Sequence, residues 1–323
     1  MKIVFLKMKT WGKYIGLFVI LAVLLLVGIG YQSDKSPEEL MQKYGQAPSD
    51  FVQVDGMKVH YRREGKRLGN EVPLVLMHGT GASLHTWDGW VNQLSSDFEI
   101  IRLDLPAYGL TGPEPHHDYS MEAYVVFLGR FLDKIGVSEC YLAGNSLGGA
   151  VAWEFALKHP QRVKKMILVD AAGYPLVSKS VPIAFRMARN PIAKHLIKYF
   201  TPRIVAESSV KNVYFDDTKV TESLVERYWL LTLREGNREA FVKRLNAPTT
   251  QRSAWKDIHQ LSMPVMIQWG RHDELIPLAI AERFHNDLPN DTLIVYQNAG
   301  HVPMEEIPVP TAKDAREFLH KKN

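Results

Sequence analysis

The sequence predicts an α/β fold in which a mostly parallel sheet carries helices on both faces and a helical cap. Short apolar segments of strand length alternate with longer segments of helix-like composition, and this alternation is typical of a parallel sheet. The alternation stops once, between residues 169 and 265, where the sequence has several prolines and no clear strand. Because structureless loops of that length are uncommon, residues 173–262 are expected to form a separate helical cap.

The N-terminal segment differs in composition from the rest of the chain. Residues 14–33 carry no charge, and their apolar core, Ile15 to Gly30, approaches the roughly 17–25 residues that span a bilayer as a helix. Four lysines precede this core: Lys2, Lys7, Lys9 and Lys13. Residues 1–33 are therefore predicted to form one transmembrane helix, a single-pass anchor with a cytoplasmic N-terminus and the folded domain on the extracytoplasmic side.

A cleaved signal segment is the alternative for the same residues, and it would give a secreted or periplasmic protein. Gly28 and Gly30 are small residues of the kind that precede a cleavage site. The apolar core is longer than the roughly 7–15 residues of a usual signal peptide. The uncleaved anchor is therefore the preferred prediction.

A linker and a strand–helix series follow the N-terminal segment. Residues 34–50 are polar with two prolines and predict a linker with a short helix. Alternating segments at 51–54 and 57–61 flank Asp55-Gly56, which favours a β-hairpin. Apolar runs predict buried strands at residues 72–77, 100–105, 140–143, 166–169, 265–269 and 293–296. Helices are predicted at 87–94, 120–135, 147–159, 278–288 and 310–321, which makes 51–172 and 263–323 the core domain.

Charge and cysteine content limit which partners and covalent links are expected. The formal net charge of the 323 residues is +4, which gives no reason to expect a nucleic-acid partner. Cys140 is the only cysteine, so an intrachain disulfide is impossible. Cys140 lies in an apolar strand and is expected to be a small core residue.

A Gly-x-Ser-x-Gly pattern at residues 144–148 is the strongest local signal in the sequence. It follows the strand-like run 140–143 and precedes the helix-like run 147–159. In this context the pattern predicts a nucleophile elbow, a sharp strand-to-helix turn that exposes the serine at the carboxyl end of the sheet. Gly144 and Gly148 suit a turn that has no room for side chains beside Ser146. Ser146 is therefore the predicted nucleophile.

A serine hydroxyl needs a base to remove its proton, and the base needs a third group to orient it. Asp273 follows the predicted strand 265–269, and His301 follows the next strand along the chain. Because both loops lie at the edge that carries Ser146, Asp273 is the predicted acid and His301 the predicted base. Asp170, after an earlier strand, is the alternative acid.

Two backbone N–H groups are expected to stabilise a developing oxyanion. Leu147 begins the helix after the elbow, so its N–H can point at the reacting oxygen. The second donor should come from the loop after strand 72–77, and there the N–H of Thr80 is the predicted donor. His78 is expected to brace this loop.

These motifs together resemble the alpha/beta-hydrolase family. The resemblance covers about residues 50 to 320 and rests on five stretches in the family's order: 78–81, 104–109, 144–148, 270–273 and 300–301. It implies an eight-stranded sheet, a helical cap after the sixth strand, and no metal or organic cofactor. It also implies a structural role for Asp104. Ala107 stands where the family usually has glycine.

Several branches of the family share these motifs. Gly-Asn-Ser-x-Gly is similar to bacterial esterases and lipases, and also to C–C hydrolases of aromatic ring-cleavage pathways. The latter usually have tryptophan after the catalytic histidine, whereas here Val302-Pro303 follows. The resemblance therefore implies a serine esterase or lipase-like enzyme, which forms an acyl-enzyme from a small-molecule ester, with an apolar acyl group expected. C–C bond hydrolysis and a membrane-anchored inactive scaffold remain the alternatives.

The predicted cap is basic. Residues 179–252 contain fourteen Lys or Arg against seven Asp or Glu. Four aromatic residues in this interval suggest a surface for lipid headgroups: Tyr214, Phe215, Tyr228 and Trp229. A solvated helical surface is the preferred interpretation, because charged runs usually are that, and the lipid-facing surface is the alternative.

Overall fold

The computed structural model describes residues 30–66, 72–247 and 254–321, together with positions 11, 14, 16–18, 21 and 28. Most of the predicted anchor, Ile15 to Gly30, therefore lies outside the described residues. Within the described part of the chain, no helix has the length and apolar character that crossing a membrane requires.

Eight strands form one sheet, as the resemblance implies. They are β1 Ser49–Val54, β2 Met57–Gly65, β3 Leu74–Met77, β4 Glu99–Leu103, β5 Cys140–Asn145, β6 Val163–Val169, β7 Val265–Gly270 and β8 Asp291–Tyr296. Their order in the sheet is β1-β2-β4-β3-β5-β6-β7-β8. Strand β2 runs antiparallel to β1 and β4, and the remaining neighbours are parallel. The carboxyl ends of β5, β6 and β7 consequently meet at one edge.

Helices accompany the strands along the chain. They are α1 Pro37–Tyr44, α2 Asp88–Leu94, α3 Met121–Lys134, α4 Leu147–Lys158, α5 Ile183–Arg189, α6 Ala193–Leu196, α7 Arg203–Lys211, α8 Glu222–Thr232, α9 Asn237–Leu245, α10 Ala279–Asp287, α11 Pro303–Glu306 and α12 Pro308–His320. Short 3₁₀ helices lie at Leu84–Trp87, Pro160–Arg162, Asp217–Lys219 and Ala254–Gln260.

The sheet is buried on both faces, because successive strand residues point to opposite sides. In β3, Val75 and Met77 join one apolar core, which α3 and α4 cover. Leu74 and Leu76 join a second core, which α2 and α12 cover. Cys140 is a core residue, as expected, and burial raises the pKa of its thiol to about 12.

Two strands were predicted with an end that the structure does not show: the run 72–77 begins before β3, and the run 100–105 continues past β4. The run predicted at 100–105 ends as a strand at Leu103, the last residue of β4. The N–H of Asp104 still donates to the neighbouring strand β2, at the carbonyl of His60 and 2.9 Å, but the N–H of Leu105 donates to the side chain of His78 at Nε2 and 2.9 Å. Apolar composition could not show that a loop side chain would take the Leu105 donor.

Asp104 organises the loop that follows β4. Its buried carboxylate accepts hydrogen bonds from the backbone N–H groups of Leu84 at 2.7 Å and Leu110 at 2.8 Å, and contacts His60 Nδ1 at 2.7 Å. Burial alone would raise the pKa of Asp104, but neighbouring His60 lowers it below its ordinary value. The geometry agrees with the structural role that the resemblance implied.

The interval between β6 and β7 contains helices α5 to α9 and, in the part that the structure describes, no strand. The alternative of one lipid-facing aromatic surface in this interval does not match the structure. Tyr214 is buried, and the side chains of Tyr228 and Trp229 donate hydrogen bonds to Glu305 and to the carbonyl of Thr201. Phe215 alone of the four is exposed. The other three are held by packing and polar contacts inside the protein.

The segment predicted as a linker is bound along the cap helices. Asp34 forms an ion pair with Arg238 at 2.6 Å, and the N–H of Lys35 donates to the carbonyl of Leu233 at 2.8 Å. In α1, Leu40 packs in a small apolar cluster with Leu231. These contacts fix the end of the N-terminal segment against α8 and α9.

Candidate active site

The turn between β5 and α4 holds Ser146 in a strained conformation. Its φ is 52° and its ψ is −111°, a region that costs a non-glycine residue on the order of 1–3 kcal/mol. A Cβ on Gly144 would lie 2.3 Å from the carbonyl carbon of Gly148, so the elbow closes only with glycine there. The strained turn is held because the N–H of Ser146 donates to the carbonyl of Val169 at 3.1 Å.

His301 and Asp273 form the predicted acid–base pair. His301 Nδ1 lies 2.6 Å from Asp273 Oδ2. The other oxygen of Asp273 accepts the backbone N–H groups of Leu275 and Ile276, both at 2.8 Å. These donors fix the carboxylate, which in turn fixes the imidazole with its Nδ1 proton toward Asp273. The Nε2 lone pair is then left for the cavity, whose lining includes both His301 and Ser146.

Asn145 joins the three strand ends, a role that sequence analysis did not assign. Its side-chain nitrogen donates to the carbonyl of Val169 at 3.1 Å and to the carbonyl of His301 at 2.9 Å. The residue before Ser146 therefore holds the loop that carries His301. Its place in the Gly-Asn-Ser motif was the only signal in the sequence.

Glu306 is a second residue that sequence analysis missed. Its buried carboxylate accepts the N–H of Gly300 at 2.8 Å and the N–H of Asp216 at 2.8 Å. The N–H of His301 itself donates to the carbonyl of Val213 at 2.8 Å. The loop that carries His301 is thus tied to the segment between α7 and α8.

Asp170, the alternative acid, lies beside the pair. One carboxyl oxygen of Asp170, one of Asp273 and a ring nitrogen of His301 all lie within 4.8 Å of one another. Among the described residues this is the group that could offer ligands to a metal ion. However, Asp273 Oδ2 and His301 Nδ1 are 2.6 Å apart, a hydrogen-bond distance that leaves no space for an ion between them. The geometry therefore favours Asp273 as the partner of the imidazole.

The two predicted oxyanion donors lie on the elements that flank Ser146. Leu147 is the first residue of α4, where the N–H has no acceptor within the helix. Thr80 lines the cavity with Ser146, and an ideal Cβ on the preceding Gly79 would lie 3.1 Å from the Ser146 Cβ. Both N–H groups are therefore candidates to meet an oxygen beside Ser146, and their assignment stays a prediction.

His78 braces the loop that carries Thr80. Its Nε2 accepts the N–H of Leu105, so its Nδ1 carries the proton that reaches the carbonyl of Gly79 at 2.7 Å. Burial lowers the pKa of His78, which keeps the ring neutral. The side chain is occupied on both nitrogens and holds the loop.

The cavity above Ser146 lies between the strand ends and the cap helices. It encloses about 1120 Å³ of space between atoms, its open mouth included. Apolar side chains form much of its wall: Phe185, Ile197, Val205, Val210, Leu231 and Phe241. Such a cavity suits an extended apolar group that ends at Ser146 and His301.

Comparison with known proteins extends these observations. Residues 72–308 match the family model described as alpha/beta hydrolase fold. A 2-hydroxy-6-oxononadienedioate/2-hydroxy-6-oxononatrienedioate hydrolase from Burkholderia vietnamiensis is 28% identical over 272 residues, which cover 79% of this chain and 90% of that protein.

Two solved structures share the architecture. A meta-cleavage product hydrolase from Pseudomonas fluorescens superposes with a TM-score of 0.72 at 22% identity, covering 85% of this chain and 98% of that one. A membrane phospholipase A, described as a bacterial virulence factor, gives a TM-score of 0.72 at 23% identity and covers 97% of this chain and 98% of that one. At these identities the likeness establishes the fold.

Proposed function

The chain belongs to the alpha/beta-hydrolase family, and from that premise we propose that it is a serine hydrolase that cleaves carboxylic esters through an acyl-enzyme. The observation that carries the proposal is the hydrogen bond of 2.6 Å between His301 and Asp273. The His301 side chain lines the same cavity as Ser146. Ser146 is the nucleophile, His301 the base and Asp273 the group that orients the base. The N–H groups of Thr80 and Leu147 complete the proposed site.

The proposed reaction follows from the fixed imidazole. His301 Nε2 takes the hydroxyl proton of Ser146 while the serine oxygen attacks the ester carbonyl carbon. The carbonyl oxygen becomes an oxyanion that the two backbone N–H groups stabilise. The tetrahedral intermediate then collapses, and the departing alkoxide takes the proton from His301. Water, deprotonated by the same Nε2, then attacks the carbonyl carbon of the acyl-enzyme. As this second tetrahedral intermediate collapses, the bond to the serine oxygen breaks, the carboxylic acid leaves, and Ser146 takes the proton back from His301.

Charge in the cavity supports a neutral, apolar substrate. Among the described residues that line it, Arg238 is the only one of the types Lys, Arg, Asp and Glu. Its charge is paired with Asp34 through Nε and Nη2, and Nη2 also reaches the carbonyl of Gln32 at 2.9 Å, while its buried Nη1 has no hydrogen-bond partner among the described residues. A buried carboxylate of the substrate would need a cation of its own. An uncharged acyl chain makes no such demand.

C–C bond hydrolysis is the second candidate, because the relative from Burkholderia vietnamiensis carries a hydrolase name of that kind. Its named substrates are dicarboxylates, whose two negative charges would face a single described arginine, Arg238, that Asp34 already neutralises. Val302, which follows the base, also lines the cavity, where those hydrolases usually have tryptophan. Both observations favour the ester.

A substrate panel tests the proposal. We expect kcat/KM for p-nitrophenyl esters to rise by about fourfold for each methylene added to the acyl chain, as long as the chain fits the cavity. This factor corresponds to the free energy of about 0.8 kcal/mol that burial of one CH₂ contributes. The panel is compared with a ring-cleavage dienoate, which should react far more slowly than the best ester. Faster hydrolysis of the dienoate than of every ester would establish the second candidate instead.

We also propose that residues 1–33 anchor the protein in a membrane, single-pass, with the hydrolase domain on the extracytoplasmic side. The lysines before an uncharged segment support this orientation. The segment ends at the cap, where the N–H of Gln32 donates to the carbonyl of Tyr199 at 2.9 Å. Apolar side chains beside this point are exposed: Tyr31, Ile192, Leu196 and Tyr199. Exposed apolar groups next to an anchor are what a surface held against lipid requires.

Fractionation and N-terminal sequencing test the anchor. We expect the mature protein to keep its N-terminal lysines and to remain with the membrane pellet after a carbonate wash, because about 20 apolar residues hold a helix in the bilayer. A soluble protein whose sequence begins near Tyr31 would show that the segment is a cleaved signal.

A further inference from the structure

Asp170 is a buried acid whose carboxyl group has one oxygen without a hydrogen-bond donor. It follows β6 directly, at a φ of 44°, and its side chain has no exposed surface. Oδ1 accepts the N–H of Gly270 at 3.0 Å. Among the described residues, Oδ2 is buried and has no hydrogen-bond partner. A charged carboxylate would be poorly satisfied in this position.

In the part of the chain that the structure describes, the polar side chains nearest to Asp170 already use their hydrogen-bonding groups elsewhere. The carboxylate of Glu306 is occupied by the N–H groups of Gly300, Phe215 and Asp216. The hydroxyl of Tyr296 donates to Asp314 at 2.8 Å. The Nδ1 proton of His301 is engaged by Asp273.

The neighbouring carboxylate of Asp273 is, by contrast, well supplied. It receives two backbone N–H groups and the imidazole, whereas Asp170 receives one N–H. Two carboxylates within 4.8 Å in a dry interior repel each other, so one of them holds a proton. The proton belongs on the group with fewer donors, which is Asp170.

We propose that Asp170 is a neutral positioning residue whose protonated carboxyl donates a hydrogen bond to Asp273 and so holds the triad acid toward His301. The proposal rests on the triad proposed above. Burial first, and then the charge of Asp273, raises the pKa of Asp170 well above its ordinary value. A single negative charge is thereby kept in the pair, on the oxygen atoms that face the imidazole. Asp170 acts only through Asp273 and does not contact the substrate.

Two substitutions test the positioning role by kinetics. Asp170→Asn keeps both contacts, because its carbonyl accepts the N–H of Gly270 and its NH₂ replaces the carboxyl proton, so kcat should stay close to wild type. Asp170→Ala removes the support and should lower kcat by up to about 100-fold with little change in KM, as small misplacements of catalytic groups do. Loss of activity in Asp170→Asn equal to that in Asp170→Ala would overturn the proposal.

Stability against pH gives a second test, which does not depend on activity. An acid whose pKa is raised by folding binds more protons in the native than in the unfolded state, so the native state loses stability as pH rises above about 4. Asp170→Asn lacks this loss. Its unfolding equilibrium constant, relative to wild type, should therefore fall by up to about tenfold per pH unit above that point, until the raised pKa is reached.

The two tests separate failure of the inference from failure of the proposed function. A stability difference that does not change between about pH 5 and 8 would mean that Asp170 is ionised, and the inference would be wrong. If the stability difference between Asp170→Asn and wild type instead grew with pH in a protein that shows no esterase activity, that result would support the protonated Asp170 and reject the proposed function of the triad.

Discussion

Ser146→Ala should lose ester hydrolysis almost completely, with kcat falling on the order of 10⁶-fold, as it does when a triad serine is removed. The hydroxyl oxygen of Ser146 is the atom that forms the bond to the acyl group. Ser146 is also the residue that the strained elbow holds at the carboxyl edge of the sheet. The fold should be unaffected, because the Ser146 side chain makes no capping hydrogen bond to α4. Steady-state hydrolysis and thermal unfolding of the same preparation measure both expectations.

Ser209→Ala is the matched control for that substitution. Ser209 lines the same cavity, and its hydroxyl donates to the carbonyl of Val205 at 2.7 Å. Removing it changes the wall of the cavity and leaves the proposed chemistry intact, so activity should be retained. Near-normal turnover by a folded Ser146→Ala variant would remove Ser146 from the mechanism.

Asp273→Asn should lower kcat by about 10⁴-fold, the cost of an imidazole in the wrong tautomer. The backbone N–H groups of Leu275 and Ile276 must still be accepted, so the amide oxygen takes that side and the NH₂ faces His301. The ring then presents a lone pair at Nδ1 and carries its proton on Nε2. In that tautomer it cannot accept the proton of Ser146. The rate on a short-chain ester measures the loss.

Asp170→Asn is the comparison that makes this result decisive. It removes a carboxyl group from the same cluster and should leave kcat close to wild type. If Asp170→Asn were the crippled variant and Asp273→Asn were active, the acid would have been assigned to the wrong strand end.

The local part of the site could be predicted from the sequence. The strained turn at Ser146 was predicted because a strand, a tight turn and a helix follow one another within a few residues. The proximity of Asp273 and His301 was predicted because parallel strands bring their carboxyl ends to one edge. Each of these signals needs only the periodicity and the turn residues around it.

The supporting contacts could not be predicted in the same way. Glu306 reaches Asp216 across 90 positions of the sequence, and Asn145 reaches His301 across 156. Oδ2 of Asp170 lacks a hydrogen-bond partner among the described residues because of the way Asp170, Asp273 and His301 are placed after three different strands. Side-chain contacts of this kind are fixed by packing, which composition and spacing do not encode.

The cap was predicted as helical but not in its details. Tyr214 and Tyr228 were considered for a lipid-facing surface, but the structure buries Tyr214 in an apolar core and hydrogen-bonds the Tyr228 hydroxyl to Glu305. An aromatic residue in a basic segment can lie on either side of a helix. Without a regular apolar period in these short helices, the sequence could not distinguish the two sides.

Labelling by a fluorophosphonate is the most direct measurement of the central claim, because the reagent bonds covalently only to a serine that its own site activates. We predict stoichiometric labelling of the full-length protein, with the adduct mapped by mass spectrometry to the peptide that contains Ser146. The Ser209→Ala variant should label like wild type, whereas Asp273→Asn should label far more slowly. A folded protein that does not react, or an adduct on any residue other than Ser146, would contradict the claim that this chain is a serine hydrolase acting through Ser146.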